Sequence, residues 1–248
     1  MKANEPLPDR APEDRRQVKA RRTREALAEA AVELVLERGL GAVTVEAIAE
    51  RADVTRRTFS RHFSGKEDAA LDFTRADGAR INAALRARPE GEPPLLAYRN
   101  AVADWLADRE SPGWHHRPRL RELYAAVDEE PALFAAYERI RVDAQDESVR
   151  IIADRLGTDP ARDPRPGVVV GAAAGVLTAA LRAWARGTDK DATDLAALVA
   201  AAYDALAGEA ARATAASSGG TDESSENRGW CPSSWCKRST GWLVRGVG

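Results

Sequence analysis

Arg56, Arg57, Ser60 and Arg61 fall on one side of a short helical pattern, with no apolar residue among them. Phe59 and Phe63, four positions apart, fall on the other side, where both rings can anchor the segment to a neighbour. A guanidinium fork matches the two acceptors on the major-groove edge of guanine. A short helix with aromatic anchors behind and cations in front is therefore the shape of a major-groove reader. Arg56 and Arg57, at the start of the helix, are the expected base readers, with Thr58, Ser60 and Arg61 beside them. Thr44, Thr55, His62 and Lys66 stand at helix ends, where they suit phosphate oxygens.

Such a reader has to be held by its neighbours. Upstream, Val45, Ile48, Ala49 and Ala52 recur at the spacing of a helix with one apolar face. Thr44 precedes it as an N-cap, and Thr55 stands in the same position before the cationic helix. Between the two helices, Asp53 tolerates the left-handed backbone that a sharp turn requires. Downstream, Ser64-Gly65-Lys66-Glu67 reads as a capping box with Ser64 as the cap.

The stretch 43–68 resembles the helix-turn-helix of the TetR family of bacterial transcriptional regulators. The resemblance is carried by Thr44, Ala49, Ala52, Val54, the run Thr58-Phe59-Ser60-Arg61-His62-Phe63, and Lys66-Glu67. It also covers the helix before them. Two departures stand out. Ser60 occupies a position where the family usually has a Tyr that touches the DNA backbone, so that contact is lost or falls to Arg57 or Arg61. Asp53 takes the place of the usual Gly.

Charge is distributed as a polyanion-binding end would require. Residues 15–66 carry 12 Lys and Arg against seven acids, while the remainder carries 25 against 32. Arg15–Arg24 brings six cations with no acid between them, either an arm toward phosphates or a minor groove, or a solubilising leader. The first helix follows, with Ala26, Leu27, Ala30, Ala31, Leu34 and Val35 as its buried stripe, and stops at Gly39.

The rest reads as an all-α body, for about nine helices in total. The expected segments are 66–88, 94–109, 118–128, 131–156, 167–186 and 191–212. The resemblance implies an N-terminal three-helix helix-turn-helix domain, 15–65, and a C-terminal helical domain for ligand binding and dimerisation, 66–214. Flanking them are a leader, 1–14, and a Ser/Gly/Glu-rich tail, 215–248, both expected to be disordered. In the last two body helices, Gly171, Gly175 and Ala179 line up small side chains, and Leu195, Leu198 and Leu206 form an apolar stripe. These residues are either core or, as the resemblance implies, the four-helix interface of a homodimer.

Trp105, Tyr124, Phe134, Tyr137 and Trp184 offer aromatic surface that serves either as plain core or as the wall of an apolar pocket. The body is also similar to actinobacterial members of the family, whose ligands vary and include acyl thioesters. The expected effector is a small apolar or amphipathic molecule.

Few residues invite other chemistry. His115 and His116 follow Trp114, but adjacent side chains point apart and do not converge on a metal. Cys231 and Cys236 supply two ligands where a structural zinc needs four. No phosphate loop or nucleophile elbow occurs, so no enzyme, cofactor or metal site is expected. The start is charged and Pro-rich, not a secretion signal. The uncharged run Gly167–Leu181 is too short for a bilayer. A cytoplasmic protein that binds a palindromic operator in double-stranded DNA as a dimer, and releases it to a ligand, is the leading expectation. A constitutive DNA-binding protein with a sealed body is the alternative, and a helical enzyme or carrier a more distant one.

Overall fold

Caps and breakers decide where the helices begin and end. The structure, a computed structural model, describes residues 15–187 and 194–218, with the side chains of Pro118 and Ser218 left aside. Among them are ten α-helices: α1 (Arg15–Arg38), α2 (Val45–Arg51), α3 (Arg56–His62), α4 (Lys66–Ala70), α5 (Asp72–Ala87), α6 (Pro94–Ala107), α7 (Pro118–Ala126), α8 (Pro131–Leu156), α9 (Arg165–Arg186) and α10 (Leu195–Ser218). Two 3-10 turns, Leu40–Ala42 and Trp114–His116, complete the set, and no strand occurs among the described residues. The expected leader and the Cys- and Trp-bearing part of the tail lie outside the described residues.

Proline opens α6, α7 and α8 at the position where its missing N–H costs nothing. Gly157 closes α8 with φ 61°, its left-handed turn bringing the Thr158 N–H back to Ala153 O at 3.0 Å. The segment expected as one helix over 66–88 is broken at Leu71, whose backbone leaves the helical range. That break makes ten helices where about nine were read. The last helix continues to Ser218, beyond the expected end at 212.

The first three helices pack as the apolar stripes require. Leu27, Ala31 and Leu34 of α1 close over Ile48 of α2 and Phe59 of α3, all essentially without exposure. Ala26, expected in that stripe, faces solvent instead, because the stripe is centred one residue later, on Leu27. Arg15–Arg24 is not an extended arm: its cations ride on the opening turns of α1. Ala69, Ala70 and Leu71 are fully buried, with α4 seated against both α1 and α8, so the core of the N-terminal helices runs on into the body. In the body, α5 packs on α6 and α8, and α9 on α6, α7 and α8. Residues up to Ala207 fall into one compact unit; the chain from Gly208 falls into a second, described as far as Ser218.

The reading of residues 167–181 as too short for a bilayer needs correction. α9 has 22 residues and, over an 18-residue window of mean hydropathy 1.7, is long and apolar enough to cross one by length and composition. It instead packs as a core helix, burying Val170, Ala173, Ala174, Leu177, Leu181 and Trp184 in the body.

Candidate nucleic-acid interface

The cationic helix α3 is built as its sequence demands. The Thr55 hydroxyl accepts the Thr58 N–H at 3.1 Å and lies 3.0 Å from the Thr58 hydroxyl. The Thr44 hydroxyl caps α2 by accepting the Ala47 N–H at 3.1 Å. Asp53 adopts φ 52°, the one left-handed non-glycine among the described residues, and turns α2 into α3. Phe59 and Phe63 are buried with ring centroids 5.7 Å apart. This leaves Arg56, Arg57, Ser60 and Arg61 exposed together on the opposite face. Arg56 reaches back to Glu46 of α2 at 3.0 Å, a pair open to solvent. Arg57 and Arg61 have no ion-pair partner among the described residues.

The other expected contacts are placed differently. Lys66 is half-buried, and its Nζ donates to Leu40 O at 2.7 Å and Val43 O at 2.9 Å, closing the turn between α1 and α2. Thr58 is half-buried against its cap. The Nε2 atom of His62 is buried without a hydrogen-bond partner. Burial, then the charges of Arg61 and Arg24, hold that imidazole below its ordinary value. The expected Ser64–Glu67 capping box does not form: Gly65 precedes α4, and Asp68 Oδ2 accepts both the Ser64 N–H at 3.0 Å and the Ser64 hydroxyl at 3.1 Å.

One residue that local patterning missed ties this unit to the body. Arg24 of α1 forks onto Asp72 at the head of α5, donates to His62 O at 2.8 Å, and lies 4.4 Å over the Phe63 ring. It thereby joins the end of α3 to α5.

In the body, α5, α6, α7, α8, α9 and the 3-10 turn at 114–116 line a cavity of about 90 Å³. Trp105, Tyr124 and Tyr137 line it. Phe134 does not: it is 41% exposed, under the Arg182 guanidinium at 5.8 Å. Nor does Trp184, which stands behind the wall, edge-on to Trp114 at 5.7 Å and under Arg121 at 4.4 Å. The sequence reading omitted Tyr98 and Trp114 from the lining, and two polar residues of α5, Asp77 and Asn82. A signal for these two was present: they fall on the stripe Phe73, Ile81, Leu85 at helical spacing, where a buried polar residue is out of place.

His115 and His116 do not point apart. Their rings lie 4.2 Å apart, with His115 also edge-on to Trp105 at 4.9 Å. Burial, then His116, lowers the His115 pKa to about 4. Among the described residues no three His, Cys, Asp or Glu side chains come together as metal ligands.

On the outer face of α9, Gly171, Gly175 and Ala179 are exposed next to Val168, itself 67% exposed. A Cβ added at Gly171 or Gly175 would meet nothing within 4 Å. Leu195, expected on the same surface, is 4% exposed and belongs to the protomer core, with Val199 and Tyr203. Leu198 and Leu206 are half-buried, and the open face of α10 carries Ala197, Ala200, Ala201 and Ala205.

Known proteins share this organisation. A family described as bacterial regulatory proteins, tetR family, matches residues 27–70, and one described as MftR C-terminal domain matches residues 92–211. The HTH-type transcriptional regulator TcmR of Streptomyces glaucescens is 38% identical over 194 residues, covering 77% of this chain and 85% of TcmR. Among solved structures, FadR of Thermus thermophilus with lauroyl-CoA is 24% identical at a TM-score of 0.45, over 74% of this chain and 92% of its own. The SmeT–triclosan complex is 21% identical at a TM-score of 0.48, over 74% of this chain and 90% of its own.

Proposed function

The chain belongs to the TetR family and is a transcriptional regulator with a helix-turn-helix DNA-binding domain, and from that premise we propose that it is a ligand-responsive repressor. Residues 15–65 read DNA, and residues 66–214 hold the effector and the dimer contact. The observation that carries this reading is the exposed set Arg56, Arg57, Ser60 and Arg61 over the buried pair Phe59 and Phe63. Two protomers, joined through the small-residue faces of α9 and α10, set two copies of α3 about one DNA turn, ~34–36 Å, apart, so that each enters a major groove of a palindromic operator. Arg56 and Arg57 contact base edges; Arg61, Ser60, Thr44, Thr55 and Thr58 contact the backbone. The protein acts in the cytoplasm, where that DNA is.

The effector is a small apolar or amphipathic molecule that enters the body cavity and displaces α5. Because Asp72 opens α5 and holds Arg24, a shift of α5 is felt at the His62 carbonyl and the end of α3. The two readers move off their spacing and operator affinity falls. A coupling of about 1–3 kcal/mol, roughly 5–150-fold, is typical of such linkage.

Selection of bound duplexes from a random pool tests the core of the proposal. A palindrome is expected, bound with a steep inverse dependence on salt. Recovery of no common sequence, with binding set by salt alone, would remove the operator reading. A second reading, a constitutive regulator with no effector, draws support from the size of the cavity, about 90 Å³ against the 300–1,000 Å³ of ordinary ligand pockets. Release of the selected duplex by small molecules decides between them.

A further inference from the structure

The chemistry of the cavity wall selects among effectors, and this step rests on the effector reading above. One side is a box of aromatic rings: Trp114 lies 4.8 Å from Tyr124 at a 31° tilt, and Tyr137 stands edge-on to Tyr124 at 5.4 Å. Most polar groups of the lining are occupied with one another. Asn82 donates to Ala144 O at 3.0 Å and accepts from the Ser148 hydroxyl at 2.7 Å. The hydroxyls of Tyr124 and Tyr137 meet at 2.9 Å.

Asp77 is different. The residue is 6% exposed, faces the cavity, and its carboxylate accepts the Arg80 guanidinium at 3.0 Å and the Trp114 N–H at 3.2 Å, with the buried Trp105 indole N–H also acting on it. A carboxylate offers about four acceptor sites, so part of its capacity is still unused. Arg141, the one cation in the described lining, is committed, forking onto Glu138 at 3.1 and 3.2 Å. Behind the wall Arg80 bridges Asp77 to Asp108 at 3.0 Å, while Arg117 adds its charge at longer range. An anionic ligand would meet a buried carboxylate and no open cation in the described lining. Burial already pushes the Asp77 carboxyl above the usual carboxylate range, which a donor brought to it would relieve.

We infer that the cavity recognises a flat aromatic compound without negative charge, whose hydrogen-bond donor docks on Asp77 while its ring lies against Trp114 and Tyr124. An anionic acyl chain is excluded on the same grounds. Asp77 also holds the backbone of Trp114, so a donor that competes for it loosens the 108–117 loop from α5 at the moment of binding. The recognition group and the Arg24 anchor thus lie on one helix, five residues apart.

Calorimetric titration of the full-length protein with three probes of matched shape tests this: 2-naphthol, 2-methoxynaphthalene and 2-naphthoate. The expected result is 2-naphthol bound about tenfold or more tightly than either of the others, since a buried acceptor discriminates strongly for a donor. Asp77→Asn should turn its amide toward the ligand and cut the preference for 2-naphthol over 2-naphthoate by about tenfold or more. Should that variant fail to fold, indole N–H resonances of the unaltered protein give the answer: 2-naphthol must move the Trp105 and Trp114 signals. Equal binding of the three probes, tighter binding of 2-naphthoate, no binding at all, or shifts confined to other tryptophans would each overturn the inference. Duplex binding on the same preparation keeps the two readings apart. Palindrome binding without the probe ranking overturns this inference alone, whereas the ranking without palindrome binding overturns the proposed function alone.

Discussion

Arg24 and Asp72 meet as a fork, the Nε of α1's arginine lying 3.2 and 3.1 Å from the two carboxylate oxygens at the head of α5. Forty-eight residues separate them, and between them the chain makes the whole of α2, α3 and α4. The pair is part-buried, and the same guanidinium satisfies the last carbonyl of α3. Removing one partner therefore leaves a desolvated charge or carbonyl behind, at a cost of about 1–3 kcal/mol. Arg24→Gln and Asp72→Asn should each lower the urea midpoint, and the double variant should lose less than the sum. Additive losses would mean that the two side chains act separately. Operator affinity should fall further than stability alone explains, because the end of α3 loses its hold.

Lys66 gives the next prediction. At a helix end on an exposed unit it would contact phosphate, and Lys66→Ala would make the salt slope of DNA binding shallower by about one. Its two hydrogen bonds to Leu40 O and Val43 O point to another result. Lys66→Met should cost roughly 1–2 kcal/mol of folding stability, through two carbonyls left without a charged donor, and leave the salt slope unchanged. Arg57→Ala should do the reverse: little change in stability, about 1–3 kcal/mol lost on the operator, and relaxed preference at one base position per half-site. An unchanged base preference in Arg57→Ala would assign readout to Arg56.

These two cases mark what the sequence could disclose. Thr44, Asp53, Thr55, Phe59 and Phe63 were legible because caps, a left-handed turn and an i, i+4 aromatic pair are written within a few residues of one another. Lys66 was not, since its partners lie 26 and 23 residues away and leave no periodic trace. The Ser64 cap failed by one residue: Asp68 reaches back farther than Glu67 was expected to, because α4 begins after Gly65. For Phe134 and Trp184, aromatic identity marked apolar surface, but the side of α8 or α9 that faces the cavity is set by packing. Asp77 was legible in principle as a polar residue on an apolar stripe, and only its neighbours in space give it a role.

His115 should make the protein acid-sensitive. Burial, then His116, holds its pKa at about 4 instead of 6.5, so the folded protein keeps it neutral where the unfolded chain protonates it. Between pH 6.5 and about 4 the unfolded state binds more protons, and stability falls as pH drops through that window. The ring is partly exposed, so the loss is on the order of 2 kcal/mol at most. His115→Gln should flatten the acid limb of stability against pH by that amount while leaving the curve above pH 7 alone. An acid limb of unchanged slope would mean that other groups carry the transition.

The dimer is the prediction on which operator recognition depends. Gly175 lies mid-helix on the open face of α9, with Gly171 and Ala179 on the same side and no atom of its own protomer within 4 Å of an added Cβ. The Cβ of a Leu there meets nothing among the described residues of the protomer, and replacing a helical Gly removes a penalty of roughly 0.5–1 kcal/mol. Gly175→Leu should therefore fold at least as stably as the parent when monomeric. Against a partner helix at close approach the same side chain overpacks the seam, costing about 1–3 kcal/mol for each copy. The two effects have opposite signs, which separates an interface from a core position. Sedimentation should show a raised dimer dissociation constant, and thermal melting of dilute protein should show no loss. Tight operator binding should vanish as well, since a lone half-site binds weakly, while non-specific binding at low salt persists. If Gly175→Leu stays a tight dimer on its operator, the two protomers meet elsewhere and the small-residue face of α9 serves some other contact.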